Sequence, residues 1–212
     1  MSKIIACSGR MCSGKDLTAS IIQRLDWINE VENGRASIHS VPSLEALTKG
    51  RLHSGKWQVK KFSAKLKEVA SILTGIRPGK FEDQDFKKSF MGNEWAKEGH
   101  PMTVREFLQQ LGSEAIRDNL HKNTWVNALF ADLKPGDNWI ITDMRYPNEF
   151  QAVHTRGGIT IRIERDGTRR KNEHASEYSL DCASFHHVIY NNGSLEDLEQ
   201  AVKAIMIKEG LL

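Results

Sequence analysis

Ser8-Gly9-Arg10-Met11-Cys12-Ser13-Gly14-Lys15-Asp16 follows a short apolar run, Lys3-Ile4-Ile5-Ala6-Cys7, and precedes a helical pattern that starts at Asp16. Gly9 and Gly14 stand at the two glycine positions of G-x-x-x-x-G-K, with Lys15 directly after. That is the spacing of a phosphate-binding P-loop. The glycines let the backbone curl so that successive N–H groups of Arg10, Met11, Cys12 and Ser13 point inward at an anion. The following helix adds the positive end of its dipole. Lys15 can then reach the outer phosphates as a flexible point charge.

One position departs from the pattern. The usual Ser or Thr after the lysine, whose hydroxyl binds Mg²⁺, is Asp16. A carboxylate beside polyphosphate is repelled unless a cation lies between them, so Asp16 could hold Mg²⁺ directly or through water. The alternative is that Asp16 only favours the helix N-terminus.

The chain has 212 residues, 39% hydrophobic and 27% charged, which suits one soluble α/β domain with a small mobile lobe. A net charge of +3 makes no electrostatic case for general nucleic-acid binding. Three cysteines, Cys7, Cys12 and Cys182, cannot close a disulfide framework, which favours a reducing cytoplasm. Cys7 and Cys12 lack zinc spacing and read as a core residue and a loop residue. No stretch is apolar enough to cross a membrane, and the N-terminus does not read as a signal peptide.

Lys3–Ser8 reads as a buried first strand, since a continuous apolar run suits a parallel sheet covered on both faces. Leu17, Ile21, Ile22 and Leu25 recur at helical spacing up to the turn Asn33-Gly34. Residues 35–56 are ambiguous: Ser37–Val41 could be a strand, Leu44–Leu47 a helical turn, and Lys49, Arg51, His53 and Lys56 a solvated basic hairpin. Trp57–Ser63 alternates as a second strand. Lys65–Leu73 is helical. Residues 78–102 are polar with few apolar anchors, either an excursion that covers a substrate or an exposed loop. Thr103 and Glu106 form a capping box for a helix through Ile116. A further helix is expected from Lys122 to Leu133.

Trp139-Ile140-Ile141-Thr142-Asp143 is an apolar strand ending in an acid, like a Walker B element. Its acid would emerge at the carboxyl edge of the sheet, where ligands bind in open α/β folds. Arg145 lies two residues on, and Pro147-Asn148-Glu149 opens a helix. Ile159–Ile163 is a strand, followed by the basic loop Arg165–Lys171. Val188-Ile189-Tyr190 is the last strand, and Ser194 with Asp197 caps a final helix through Ile207. Strand, phosphate loop, helix and then repeated βα units predict a P-loop NTPase-like, three-layer α/β/α fold with a parallel sheet.

P-loops serve kinases, GTPases and DNA ATPases. The length favours a small-molecule kinase, and no guanine-reading N-K-x-D is found. The chain resembles the bacteriophage-type deoxynucleoside monophosphate kinases of the P-loop nucleoside monophosphate kinase superfamily. The pieces that carry this, in order, are Ser8-Gly9 to Gly14-Lys15-Asp16, Phe62–Glu68, Leu108–Glu114, Trp125-Val126, Thr142–Glu149, His174–Glu177 and Asn191–Leu195. Residues 35–56 are not covered.

The resemblance implies transfer of the ATP γ-phosphate to a deoxynucleoside monophosphate, with Mg²⁺ as cofactor. Such an acceptor phosphate is already largely ionised at neutral pH, its second pKa lying near ~6, so positioning and charge neutralisation matter more than a base. Lys15 would bind the β- and γ-phosphates. Arg10 could touch the acceptor phosphate or face solvent. Lys67 matches a lysine that faces the acceptor in the family, against a solvated helix lysine. Arg105 sits in a first helical turn, where a cation opposes the dipole; an anionic ligand or an ion pair would explain it. Asp143 would hold Mg²⁺ or fix the acceptor sugar or an arginine. Arg145 could clamp a phosphate, or pair with Asp143 or Glu149. Glu149 is expected beside the substrate. Arg165, Arg169 and Arg170 could form a lid over residues 165–180, or a charged surface loop. Asn192 and Gly193 are placed against the adenine by resemblance only. Trp95 is the favoured stacking residue for the acceptor base and Trp125 is expected in the core. A homodimer without stable nucleic-acid or membrane partners is the expected assembly. The rivals are a P-loop kinase of another phosphorylated metabolite, and an ATP-binding switch or nucleic-acid-associated ATPase.

Overall fold

The computed structural model describes residues 2–37, 41–48, 55–168 and 178–212. The chain divides into two compact units, 1–60 with 134–212, and 61–133. The sequence suggested one domain with an excursion over 78–102; the second unit is broader than that excursion.

The first unit is built on five strands, β1 Lys3–Ser8, β2 Trp57–Lys60, β3 Asn138–Ile141, β4 Ile159–Glu164 and β5 His187–Tyr190. All pair in parallel in the order β2-β3-β1-β4-β5. The apolar β1 is central, with Ile5 in register with Ile140 of β3 and Ile159 of β4. Helices α1 (Lys15–Glu32) and α6 (Leu195–Lys208) cover one face. Ile22, Leu25, Leu198, Val202 and Met206 pack there on Ile5, Cys7, Ile161, Ile163 and Ile189. Each such side chain contributes roughly 1.5–3 kcal/mol when fully buried. Helix α5 (Pro147–Thr155) covers the other face, where Gly158 lets Val153 approach Ile4. This confirms the three-layer expectation. The Ser194–Asp197 capping box is formed at α6, with Asp197 N donating to Ser194 Oγ at 3.1 Å.

Strand β2 is shorter than the expected Trp57–Ser63. It ends at Lys60, and α2 (Phe62–Thr74) takes over. Phe62 is drawn into helix by burial, its ring packing edge-on to Phe130 at 6.1 Å. In the region 35–56, residues 38–40 and 49–54, with the suggested strand core and most of the basic hairpin, lie outside the described residues. Glu45–Thr48 forms a 3-10 turn whose Leu47 joins the main core. Lys56 pairs with Glu30.

The second unit has its own core of Ala70, Phe81, Met91, Val104, Phe107 and Leu108. Residues 78–102 are therefore anchored: three 3-10 turns carry the chain, and Phe81 is fully buried. The expected Thr103–Glu106 capping box opens α3 (Val104–Gln109). The single helix expected beyond it changes to π geometry over Gln110–Asp118. Within that stretch the Gly112 carbonyl accepts the indole N–H of Trp125 at 2.8 Å, from helix α4 (Thr124–Phe130), so Trp125 is a core residue as expected. No described helix is long and apolar enough to cross a membrane.

Two stability predictions follow from this packing. A Cβ at Gly158 would lie 2.6 Å from Val153 Cγ1 and 3.2 Å from Ile4 Cβ. Gly158→Ala should cost roughly 1–3 kcal/mol by overpacking, read by urea unfolding. The rings of His154 and His186 stack at 4.6 Å, and His186 Nδ1 accepts Thr160 N–H at 3.0 Å. Burial, and then the neighbouring His186, push His154 below the usual histidine value. The unfolded chain therefore takes up this proton first as pH falls. The contribution is complete above an unfolded pKa of about 6.5 and is lost as pH drops through the lower folded value. Unfolding free energy should fall between pH 7 and pH 5, and His154→Gln should make that slope shallower.

Candidate functional site

β1 delivers the chain to the carboxyl edge of the sheet between β3 and β4, where the strand order reverses. Here Gly9 has φ +152°, and a Cβ on it would lie 2.3 Å from the Ile163 carbonyl oxygen and 2.6 Å from Ser13 Oγ. Gly14 has φ +108°, and its Cβ would meet Asn191 Nδ2 at 2.5 Å. Both positions therefore exclude side chains on two counts, conformation and space. Between them Cys12 takes φ +64°, uncommon for a residue with a side chain. Met11 and Cys12 are exposed, while Ser13 is buried. Lys15 Nζ lies over the loop, donating to the carbonyls of Gly9 at 2.6 Å and Arg10 at 2.5 Å. The loop leads straight into the 18-residue α1, whose N-terminal dipole points at the same space.

The acids come to this edge from two elements. Asp16 lies in the first turn of α1, exposed, and Thr142 Oγ1 just past β3 donates to its Oδ1 at 3.1 Å. Asp143 is the next residue, half-buried, with Arg145 two further on. Glu149 is 2% exposed and is the capping-box acid of α5, accepting the backbone N–H of Arg145 at 2.7 Å and of Tyr146 at 3.1 Å. Those bonds hold the backbone at Arg145. Cys7 is a core residue as expected; burial pushes its thiol up to about 12, which leaves it protonated.

Arg10 does not face solvent. It is buried, and NH2 donates to Asp181 Oδ2 at 2.7 Å. Of the lid residues, Arg165 is exposed, while Arg169, Arg170 and His174–Glu177 lie outside the described residues. Asn192 joins the turn after β4 to the start of α6: its amide accepts Asp166 N–H and donates to Asp166 Oδ2, both at 2.9 Å. Gly193 follows, close against Asp197. A cavity of about 510 Å³ opens on this side, lined by Arg162, Glu164, Arg165, Leu180, Phe185 and Tyr190 among others.

In the second unit Lys67 is buried on α2, paired with Glu82 at 2.6 Å, and is not the solvated helix lysine that the sequence left open. Arg105 NH2 reaches Gln84 Oε1 at 3.3 Å. Burial alone would raise the Glu82 carboxyl; the Lys67 hydrogen bond and charge, with Lys61 and Lys87, outweigh it and hold it below its usual range. Burial, and then the charge of Lys67, push Lys87 below the usual lysine value, with Arg105 and Lys61 adding to the effect. Lys61, Lys67 and Lys87 thus act electrostatically on Glu82, and Arg105 acts on Lys87. Trp95 is half-buried and packs edge-on to Phe107 at 4.8 Å.

Four residues brace the loop. Asn191 donates from Nδ2 to the Ser13 carbonyl at 2.8 Å, Thr142 donates to Asp16, and Asp181 accepts from Arg10 and from Arg162. Asn191 and Thr142 stand within the stretches that carry the family resemblance. Asp181 and Arg162 had no local sign.

The sequence profile of a family described as deoxynucleotide monophosphate kinase matches residues 58–202, from β2 to α6. The match excludes the glycine loop, so the loop and the match are separate observations. The chain is 31% identical over 106 residues to the deoxynucleotide monophosphate kinase of Enterobacteria phage T4, covering 48% of this chain and 44% of that protein. It is 26% identical over 109 residues to the enzyme of the same name from Escherichia phage RB69, covering 49% and 45%. The chain spans about half the length of the curated relatives it matches. With the profile covering more than half of the sequence, the chain belongs to the deoxynucleotide monophosphate kinase family.

Proposed function

We propose that this protein transfers the γ-phosphoryl group of ATP to the phosphate of a deoxynucleoside monophosphate, giving the diphosphate. The observation that carries the reading is the loop itself. Gly9 and Gly14 leave no room for a side chain, Lys15 lies over the curl, and the helix dipole of α1 points at it, in a chain of this family.

In this reading the loop N–H groups and Lys15 bind the β- and γ-phosphates, and Lys15 follows the charge as it moves. The acceptor phosphate is assigned to the cations of the second unit, Lys67 and Arg105, with Lys87 beside them. Lys67 pairs with Glu82, and Lys87 lies within electrostatic reach of the same pair, so a phosphate there would meet cationic donors. Arg145, its backbone held by Glu149, is the further phosphate clamp. Arg165 and Asn192–Gly193 flank the donor side. No general base is required, because the acceptor oxygen already carries charge.

The donor set suits Mg²⁺, which takes one or two carboxylates and completes its shell with phosphate oxygens and water. Asp16, exposed and oriented by Thr142, and Asp143 would hold it. The ion would supply neutralisation of the charge shared by the β- and γ-phosphates. An aspartate after the P-loop lysine then takes the place of the usual hydroxyl ligand.

The test is ADP formation from MgATP with dAMP, dGMP, dCMP, dTMP and their ribo counterparts. Turnover should require an acceptor, and Lys15→Ala should reduce it about 10²–10³-fold or more. Binding of ATP with no acceptor used would overturn the reading; hydrolysis stimulated by DNA alone would favour an ATPase. Asp16→Asn and Asp143→Asn should each raise the Mg²⁺ concentration needed for half-maximal rate, measured by titration at fixed ATP.

A further inference from the structure

Arg10 sits inside the phosphate loop yet is only 5% exposed. Its NH2 group donates to Asp181 Oδ2 at 2.7 Å, across 171 positions of sequence. The other oxygen of the same carboxylate accepts NH2 of Arg162, also at 2.7 Å. Arg162 is itself buried in β4, where its Nε donates to Glu164 at 2.6 Å and its NH1 reaches Ser8 Oγ at 3.3 Å. Ser8 is the last residue of β1, immediately before Gly9. Asp181 is thus the shared counter-ion of two buried guanidiniums, one in the loop and one in the strand whose end the loop touches. Removal of the Asp181 carboxylate takes a charged acceptor from both guanidiniums at once. The Phe185 ring, 5.8 Å from the Arg162 guanidinium, closes the arrangement from the side.

We propose that Asp181 is a positioning residue for the nucleotide loop, which fixes Arg10 and so holds the backbone between Gly9 and Gly14 in its phosphate-binding shape. The inference rests on the loop being the ATP site. Arg10 acts here from within the loop, its guanidinium turned to Asp181. A loop whose amides are already aimed binds phosphate without a further ordering cost.

The experiment is calorimetric titration of the folded full chain with MgADP, which needs no acceptor. Asp181→Asn should weaken MgADP binding on the order of 10-fold. Arg10→Met should weaken it similarly, and Asp181→Asn in the Arg10→Met background should add nothing. This non-additivity is what a residue acting through Arg10 gives and a purely structural one does not. Lower thermal stability with unchanged MgADP affinity overturns the proposal, and so does an equal loss in both backgrounds. If Asp181→Asn does not fold, Asp181→Glu, which keeps the charge but displaces the carboxylate, is titrated instead: weaker binding at unchanged circular dichroism supports the proposal and unchanged affinity overturns it. Weakened binding in Asp181→Asn, in a protein that phosphorylates no acceptor, removes the kinase reading and supports the assignment of Asp181.

Discussion

The approach of Gly9 to the end of β4 is the contact on which the site depends. A single added carbon would lie 2.3 Å from the Ile163 carbonyl, so the chain can turn there only without a side chain. The approach exists because β1 is paired on both sides, with β3 and with β4, and its register brings Ser8 opposite Arg162. Parallel pairing places all the strand ends at one edge. The loop past β1, Asp143 past β3, Arg165 past β4 and Asn191 past β5 therefore converge without any of them being close in sequence.

Around that contact the polar groups hold the loop from outside. Asn191 takes the Ser13 carbonyl, Thr142 takes Asp16, and the Arg10–Asp181–Arg162–Glu164 chain takes the loop's arginine. The Asn191 bond and the Arg10–Asp181–Arg162 bonds involve buried groups, the kind whose loss leaves an unsatisfied partner and costs more than its formation gains. A phosphate loop supported in this way can present its N–H groups to an anion with little rearrangement. In the second unit Lys67 pairs with Glu82, and the charges of Lys61 and Lys87 act on the same carboxylate.

What the amino-acid sequence by itself determined is local. The glycine spacing marked the loop, the apolar runs marked the strands, and the Thr103–Glu106 and Ser194–Asp197 pairs marked two helix starts, because turns, periodicity and caps depend on neighbours within a few residues. The tertiary structure alone decided the rest. It shortened β2 by drawing Phe62 onto Phe130, turned the polar-looking 78–102 into a folded segment around buried Phe81, and set Trp95 against Phe107. It also made Glu149 a capping acid and gave Arg10 a partner 171 positions away. Such outcomes turn on burial and on charges that meet only when distant strands are laid side by side, and no spacing along the chain encodes which carboxylate will lie beside which guanidinium.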